Sequence, residues 1–378
     1  MEKIEVAVVG AGIIGLAIAS EVSKFKKSLY VLERHESFGQ ETSSRNSEVL
    51  HAGLYYPKGS LKRETCIEGK RLLYEICEKN NIPYRRLGKL VVAASASETA
   101  GLERLFCNAR ANGVRELELI SKDKIKSLEP NIKAEAAIHS KSTGIVDSHS
   151  LMKYYVIKIK EKKAGISYKT EVKSVKKIGG GYEIRVLDAN NTEFKFETEI
   201  LINCAGLESD RIAEMAGVDI ESKGYRLKYC KGQYFKLPPK KSRLIKRLIY
   251  PVPRERNAGL GIHATPNLGG IIRLGPDDEY VEREGFDYKV DERARARFRD
   301  SVFNFLPFIE ENDLTCDTAG IRPKLQGPGE DFRDYVIKEE RDIGLPGFIN
   351  LIGIESPGLT SAPSIARFVS LLVKKNAR

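Results

Sequence analysis

Tryptophan is absent from the 378 residues, methionine occurs three times and cysteine six times. The cysteines (Cys66, Cys77, Cys107, Cys204, Cys230 and Cys316) stand apart, with no C-x-x-C pair and no Cys/His ligand spacing. That argues against a zinc or iron–sulfur site and for a reducing, cytoplasmic compartment rather than a disulfide framework. No uncharged run approaches the roughly 18 residues that span a bilayer, and no signal-peptide pattern precedes the apolar run that begins by Ile4. Internal repeats, low-complexity tracts, a P-loop and a nucleophile elbow are missing too. With 41% apolar residues the chain is expected to be globular throughout, and its length favours two domains.

Charge is the first positive feature. The net charge of +11 favours anionic ligands and is compatible with nucleic acid or an anionic membrane surface. The Lys and Arg residues are interspersed with Glu and Asp, which reads as a solubilising surface. Lys236–Arg247 is the one tract that comes close to a basic stripe, and it reads as a solvated loop. No nucleic-acid partner is expected.

The first 33 residues carry the strongest local pattern. The apolar run Ile4–Val9 leads into Gly10-Ala11-Gly12-Ile13-Ile14-Gly15, then an amphipathic stretch to about Lys26 and a second apolar run, Ser28–Leu32, closed by Glu33. This is a βαβ unit with a dinucleotide fingerprint. Gly10 permits the tight turn, Gly12 lets backbone approach a pyrophosphate, and Gly15 lets helix and strand pack closely. The helix start offers free N–H groups to phosphate, and Glu33 can accept hydrogen bonds from a ribose. The motif alone does not separate FAD from NAD. A second glycine turn, Gly353–Gly358, opens the last helix and can hold the far end of a longer cofactor. The polar loop Thr42-Ser43-Ser44-Arg45-Asn46-Ser47 supplies hydroxyls and a cation for a pyrophosphate or ribityl chain.

Elsewhere the spacing predicts a helix over Leu61–Glu78 capped by Ser60. Strands at Tyr168–Ile178, Tyr182–Leu187 and Phe194–Ile202 are joined by turns at Gly179–Gly181 and Asn190-Asn191, which reads as an antiparallel meander. Tyr225–Leu274 is strand-rich, and a strand at Phe348–Ile354 precedes a helix from about Leu359 to Lys374. The expected fold is α/β with an α+β substrate domain: a Rossmann-like domain carrying an inserted antiparallel-sheet domain. The first takes residues 1–80, 140–220 and 330–378, and the substrate or cap domain takes 81–139 and 221–329.

From Ser44-Arg45-Asn46-Ser47-Glu48-Val49-Leu50-His51-Ala52-Gly53-Leu54-Tyr55-Tyr56 onward the sequence resembles a known family. It is similar to the L-2-hydroxyglutarate dehydrogenase/oxidase branch of the FAD-dependent, D-amino acid oxidase-like oxidoreductases. The similarity recurs at Pro57–Lys62, Lys231-Gly232-Gln233-Tyr234, Tyr250–Pro253, Leu260–Pro266, Leu274-Gly275-Pro276, Ala319–Pro323 and Gly353–Ser361. Two departures stand out. Gln233 replaces the acidic residue usual after the Arg/Lys-Gly pair, and Pro323-Lys324 follows Gly320-Ile321-Arg322 in a manner closer to the wider amine-oxidase-like pattern.

The resemblance implies FAD as cofactor and oxidation of a small anionic carboxylate substrate, L-2-hydroxyglutarate first. Amino acid or amine oxidation and glycerol 3-phosphate oxidation are the alternatives. It implies further cofactor contacts at Arg34, Val172, Ala205, Gly206, Ser356, Pro357, Leu359 and Thr360. Removing hydride from a 2-hydroxy acid needs a base for the hydroxyl proton and cations for the carboxylate. His51 is the leading base, alternatively a flavin contact or covalent link, and His263 competes with it. Arg322 is the carboxylate clamp, since a guanidinium binds both oxygens in parallel. Tyr56, Tyr250 and Lys324 complete the expected substrate site, with Lys62 and Arg273 as weaker cations. His35, His139 and His149 read as structural. Oxygen, a quinone or a carrier protein can serve as electron acceptor, and peripheral contact with the inner face of the membrane is compatible with the basic surface.

Overall fold

The computed structural model describes residues 2–253 and 261–376. Leu260, the first residue of the Leu260–Pro266 motif, lies outside the described residues. β1 (Glu2–Val9) runs parallel to β2 (Leu29–Leu32) on one side and to the end of the Glu193–Asn203 strand on the other. Phe348–Ile352 and Gly165–Ser167 extend this parallel sheet at its two edges. A parallel sheet is buried on both faces, which is why these segments are apolar runs rather than alternating ones. Val6, Val8, Val31 and Ile202 pack on the face covered by helices, while Ala7, Val9, Leu201 and Phe348 face the other side.

Helix α1 (Ile13–Val22) follows the glycine turn and shares its face with α2 (Leu61–Lys79), Ser148–Glu161 and Gly358–Asn376. The Ser60 hydroxyl accepts from Arg63 N at 3.2 Å and caps α2 as the spacing suggests. Glu171–Ile178, Gly181–Leu187 and Glu193–Asn203 form the antiparallel meander. It starts three residues later than expected, because Lys169 adopts a left-handed φ of 51° and breaks the strand.

A second sheet of nine strands is mostly antiparallel and draws on residues 89–140 and 228–324. Its two chain segments join at one parallel pairing, Lys89–Ala93 beside Leu248–Pro251. Thr315–Lys324 pairs along nearly the whole of Lys228–Lys236. Leu90, Val92 and Ile249 pack toward Phe298 of the Arg295–Phe303 helix, whereas Val91, Ala93, Leu248 and Tyr250 face Val49, Ala52 and Leu54, just after the polar loop. Alternation along each strand thus separates an outer face from a face turned toward the polar loop.

Among the described residues no helix is long and apolar enough to cross a membrane. The Lys236–Arg247 tract contains a short helix, Pro239–Ser242, and its cations are in part paired: Lys241 with Glu310 and Asp313, and Arg247 with buried Glu129. It is not a free basic stripe.

The parallel core depends on Gly15. A Cβ there would lie 2.0 Å from the Gly10 carbonyl oxygen, so any side chain would lever α1 off β1. We expect Gly15→Ala to cost about 1–3 kcal/mol through overpacking. A chemical denaturation curve checks it; an unchanged midpoint would mean the turn absorbs a methyl group.

Candidate functional site

One cavity of about 350 Å³ runs from the glycine turn to the inner face of the second sheet. At the turn, Gly10 has a φ of +101° and donates to Leu32 O at 2.8 Å. Glu33 is buried and its two carboxylate oxygens accept from the backbone N–H groups of Ala11 (2.8 Å) and His35 (2.9 Å). The carboxylate therefore ties the two strand ends together while still lining the cavity, where its remaining lone pairs face a ligand. Arg34 also lines this end and is paired with Glu41 and, at 3.5 Å, with Glu208. Val172, Ala205 and Gly206 close it.

The polar loop crosses the α1 N-terminus. Ser43 Oγ accepts from Ile13 N at 3.0 Å, and a Cβ on Gly12 would stand 2.9 Å from the same oxygen. Thr42 donates to Ile321 O at 2.8 Å, and Asn46 holds the loop through Ser43 O and Glu48 N, both at 2.8 Å. Ser47 Oγ meets the Tyr234 hydroxyl at 3.0 Å. Arg45 stacks its guanidinium 3.9 Å from the Tyr288 ring centroid, leaving a buried Nε without a partner among the described residues. From the far side, the start of the Gly358–Asn376 helix presents Gly358, Leu359 and Thr360 to the cavity. The Thr360 hydroxyl accepts from His51 N at 3.0 Å and donates to Val49 O at 3.1 Å.

His51, His263, Tyr250 and Arg322 meet at the cap end. His263 Nδ1 lies 3.0 Å from Gly261 O; a carbonyl only accepts, so Nδ1 carries the hydrogen and Nε2 keeps its lone pair. Its ring stacks on Tyr250 at 3.7 Å and 18°. Burial, with Lys89 nearby, holds both imidazoles down at about 3, and His263 adds to the effect on His51. Both are neutral at any ordinary pH. Arg322 donates through Nη2 to Asp277 O (2.8 Å) and Cys230 Sγ (3.0 Å), and through Nε to Cys230 O (3.4 Å). Burial opposes its charge, but Cys230, Glu355 and Asp278 around it keep its pKa above the usual value.

Five expected residues do not line the cavity: Gly15, Ser44, Gly353, Tyr56 and Lys324. Gly15 packs helix on strand, and Ser44 is exposed with its hydroxyl on Glu41 O. Gly353 turns the chain at φ +71°, where a Cβ would lie 2.7 Å from Leu325 Cγ. Tyr56 is half-buried, with its hydroxyl on Ser356 in that turn. Lys324 is paired with Glu355 at 3.2 Å, as is Lys62 at 2.9 Å, and Arg273 with Asp317 at 2.6 Å. The two lysines, with Arg322, overcome the burial of Glu355 and pull it down to about 2. His35, read as structural, does line the cavity. Tyr234, Asp278 and Glu355 line it as well; Tyr234 and Glu355 fall in motifs that carry the resemblance, but nothing in the sequence around any of the three marks it as a site residue.

The description of the family model that matches residues 5–372 is FAD dependent oxidoreductase. The chain belongs to that family.

Within this FAD-dependent oxidoreductase family, the chain is 34% identical over 407 residues to the mitochondrial L-2-hydroxyglutarate dehydrogenase of Arabidopsis thaliana, covering 98% of this chain and 83% of that protein. It is 30% identical over 384 residues to the glycerol 3-phosphate dehydrogenase of Caloramator mitchellensis, covering 99% and 74%. Among solved structures it is similar to dithionite-reduced L-alpha-glycerophosphate oxidase from Mycoplasma pneumoniae with FAD bound. That match has a TM-score of 0.88 and 27% identity, covering 99% and 95% of the two chains.

FAD is thus the cofactor of this oxidoreductase, and the cavity fits it. The α1 N-terminus and Ser43 suit a pyrophosphate, Glu33 a ribose, and the orphaned Arg45 Nε and His51 Nδ1 await polar partners. We expect Glu33→Ala to weaken FAD binding about ten- to a hundredfold, the loss of roughly 1.5–3 kcal/mol of charge-assisted hydrogen bonding. Titrating apoprotein with FAD by flavin fluorescence measures this, and unchanged affinity would remove Glu33 from the ribose site.

Proposed function

We propose that this enzyme oxidises the CH–OH group of a small 2-hydroxy acid, most favourably L-2-hydroxyglutarate, to the 2-oxo acid. The observation that carries the reading is a neutral imidazole whose Nε2 has no hydrogen bond among the described residues, fixed by the Gly261 carbonyl, in one cavity with a guanidinium anchored from behind. Full-length similarity to proteins named L-2-hydroxyglutarate dehydrogenase supports the choice of substrate. In this reading Arg322 holds the substrate carboxylate, its Nη1 being free of hydrogen bonds among the described residues. His263 Nε2 accepts the hydroxyl proton as hydride leaves the same carbon. FAD, when bound, supplies the two-electron acceptor.

His51 stood first among the bases on sequence. Its Nδ1 is buried and has no partner among the described residues, which suits a contact with cofactor or substrate, whereas the fixed tautomer of His263 favours proton acceptance there. A base at about 3 is weak, but a bound anion raises an imidazole's pKa toward neutrality, where general-base catalysis is most effective. Gln233 donates to buried Asp277 at 3.2 Å, and Asp277 O in turn holds Arg322; the departure from the family's acidic residue therefore falls behind the clamp. We place the enzyme in the cytoplasm or on the inner face of its membrane, supported by six cysteines that are all free. The mitochondrial names belong to the relatives.

Turnover of purified holoprotein on 2-hydroxy acids, D-amino acids, sarcosine and glycerol 3-phosphate tests the substrate class. A clear preference for glycerol 3-phosphate would replace this reading with the second relative's. For the roles, His263→Asn is expected to slow flavin reduction at saturating substrate about 10²–10⁴-fold, the typical worth of a general base. Arg322→Lys should mainly raise KM, because Lys keeps the charge but cannot be anchored at Asp277 O and Cys230 while also presenting a fixed donor to the carboxylate. Stopped-flow bleaching isolates the reductive step from the electron acceptor. Slowing in His51→Asn but not in His263→Asn would exchange the two histidines.

A further inference from the structure

The cap sheet buries a cation that has no carboxylate partner among the described residues and that the oxidation as described leaves unused. Lys89 begins the strand Lys89–Ala93 and is fully buried. Strand alternation puts it on the side of Val91 and Ala93, the face turned toward Val49, Ala52 and Leu54, and its register partner is Leu248, two residues before Tyr250. Lys89 Nζ donates to the Tyr55 hydroxyl at 3.2 Å and lies 4.6 Å from the ring centroids of both Tyr55 and Tyr250. His263 already occupies one face of Tyr250 at 3.7 Å, so the ammonium takes the other. Tyr250 and His263 both line the cavity, and Lys89 stands behind Tyr250, between it and Tyr55.

This ammonium lacks what other buried lysines have. Lys62 pairs with Glu355 and Lys231 with Asp287, but among the described residues no carboxylate pairs with Lys89. Cys66, the nearby group that favours its charge, is a thiol pushed up by burial to about 12 and so uncharged. Aromatic faces and one hydroxyl stabilise a buried ammonium only in part. The missing counter-charge is one that a ligand brings.

We propose that Lys89 is a specificity-determining residue that selects substrates carrying a second anionic group. The inference rests on the 2-hydroxy acid reading. Arg322 takes the carboxylate beside the reacting carbon, and Lys89 attracts a distal one across Tyr250 without touching it. The substrate class is then a dianionic 2-hydroxy acid rather than a monoanionic one of lactate type. Charge attraction over ~8 Å at an effective dielectric near 20 is worth about tenfold to a hundredfold in affinity.

The pH dependence follows. Burial brings Lys89 down to about 7. The groups facing it stay in one state from pH 6 to 9: His51 and His263 neutral at about 3, Cys66 a thiol at about 12, Tyr55 and Tyr250 raised above the ordinary tyrosine value, and Arg322 cationic. Lys89 alone among them loses charge in that window, and affinity for a dianion falls with it.

Two measurements test this. In flavin-reduction kinetics, the ratio of kcat/KM for L-2-hydroxyglutarate to that for L-2-hydroxybutyrate should fall about tenfold or more in Lys89→Met, mostly through KM. Lys89→Arg should keep most of the ratio, and FAD content should hold in both; any change in the basicity of His263 acts on both substrates and cancels in the ratio. A Lys89→Met ratio within threefold of the wild type would overturn the proposal. Independently of turnover and of any variant, glutarate and butyrate are titrated into wild-type holoprotein and followed by the flavin spectrum. Glutarate affinity should drop about tenfold or more between pH 6 and 9 while butyrate affinity changes little; parallel curves would overturn the proposal. Should neither 2-hydroxy acid be turned over, the functional reading fails, and the glutarate titration still decides the role of Lys89.

Discussion

The site depends on a seam where backbone touches backbone between the polar loop and the cap sheet. A Cβ on Gly320 would sit 2.2 Å from the Arg45 carbonyl oxygen, and one residue on, Thr42 donates to Ile321 O at 2.8 Å. The next residue is Arg322. The loop that crosses the α1 N-terminus and the strand that carries the guanidinium are therefore positioned by the same few atoms. No side chain fits between them to act as a spacer, so the distance from cofactor to clamp is set by backbone, the least compliant part of the protein.

Around that seam the electrostatics are divided. Some cations near the cap end are paired, as Lys62 and Lys324 are with the one carboxylate of Glu355, whereas Arg322 is held for a ligand by carbonyl oxygens and a sulfur. Carbonyls fix a guanidinium without cancelling its charge. The imidazoles between them are kept neutral by burial and by the positive surroundings. A cavity of this kind favours an anion and offers it a proton acceptor, conditions that oxidation of a hydroxy acid requires and that a structural flavin would not.

The dinucleotide turn was legible because each of its requirements is local. Gly10, Gly12 and Gly15 lie within six residues, the flanking runs are apolar, and Glu33 follows at the end of the next strand; short-range geometry leaves few other uses for that pattern. The meander and the terminal helix were legible for the same reason, each announced by period and turn chemistry. The start of the meander differed by three residues because Lys169, a non-glycine residue, takes a positive φ that no propensity signals.

The cap end shows the opposite. Lys324 and Arg322 look alike on paper, two residues apart in a basic chain, yet one is paired with Glu355 and the other is not. Lys89 was passed over altogether, because a lysine at the start of an apolar strand ordinarily points to solvent. The sequence by itself determined the family, the cofactor turn and the set of residue types available for chemistry. Only the tertiary structure decided which cations keep their charge for a ligand. That outcome depends on pairings between residues as distant as Lys62 and Glu355, and on the burial that makes each pairing, or its lack, consequential.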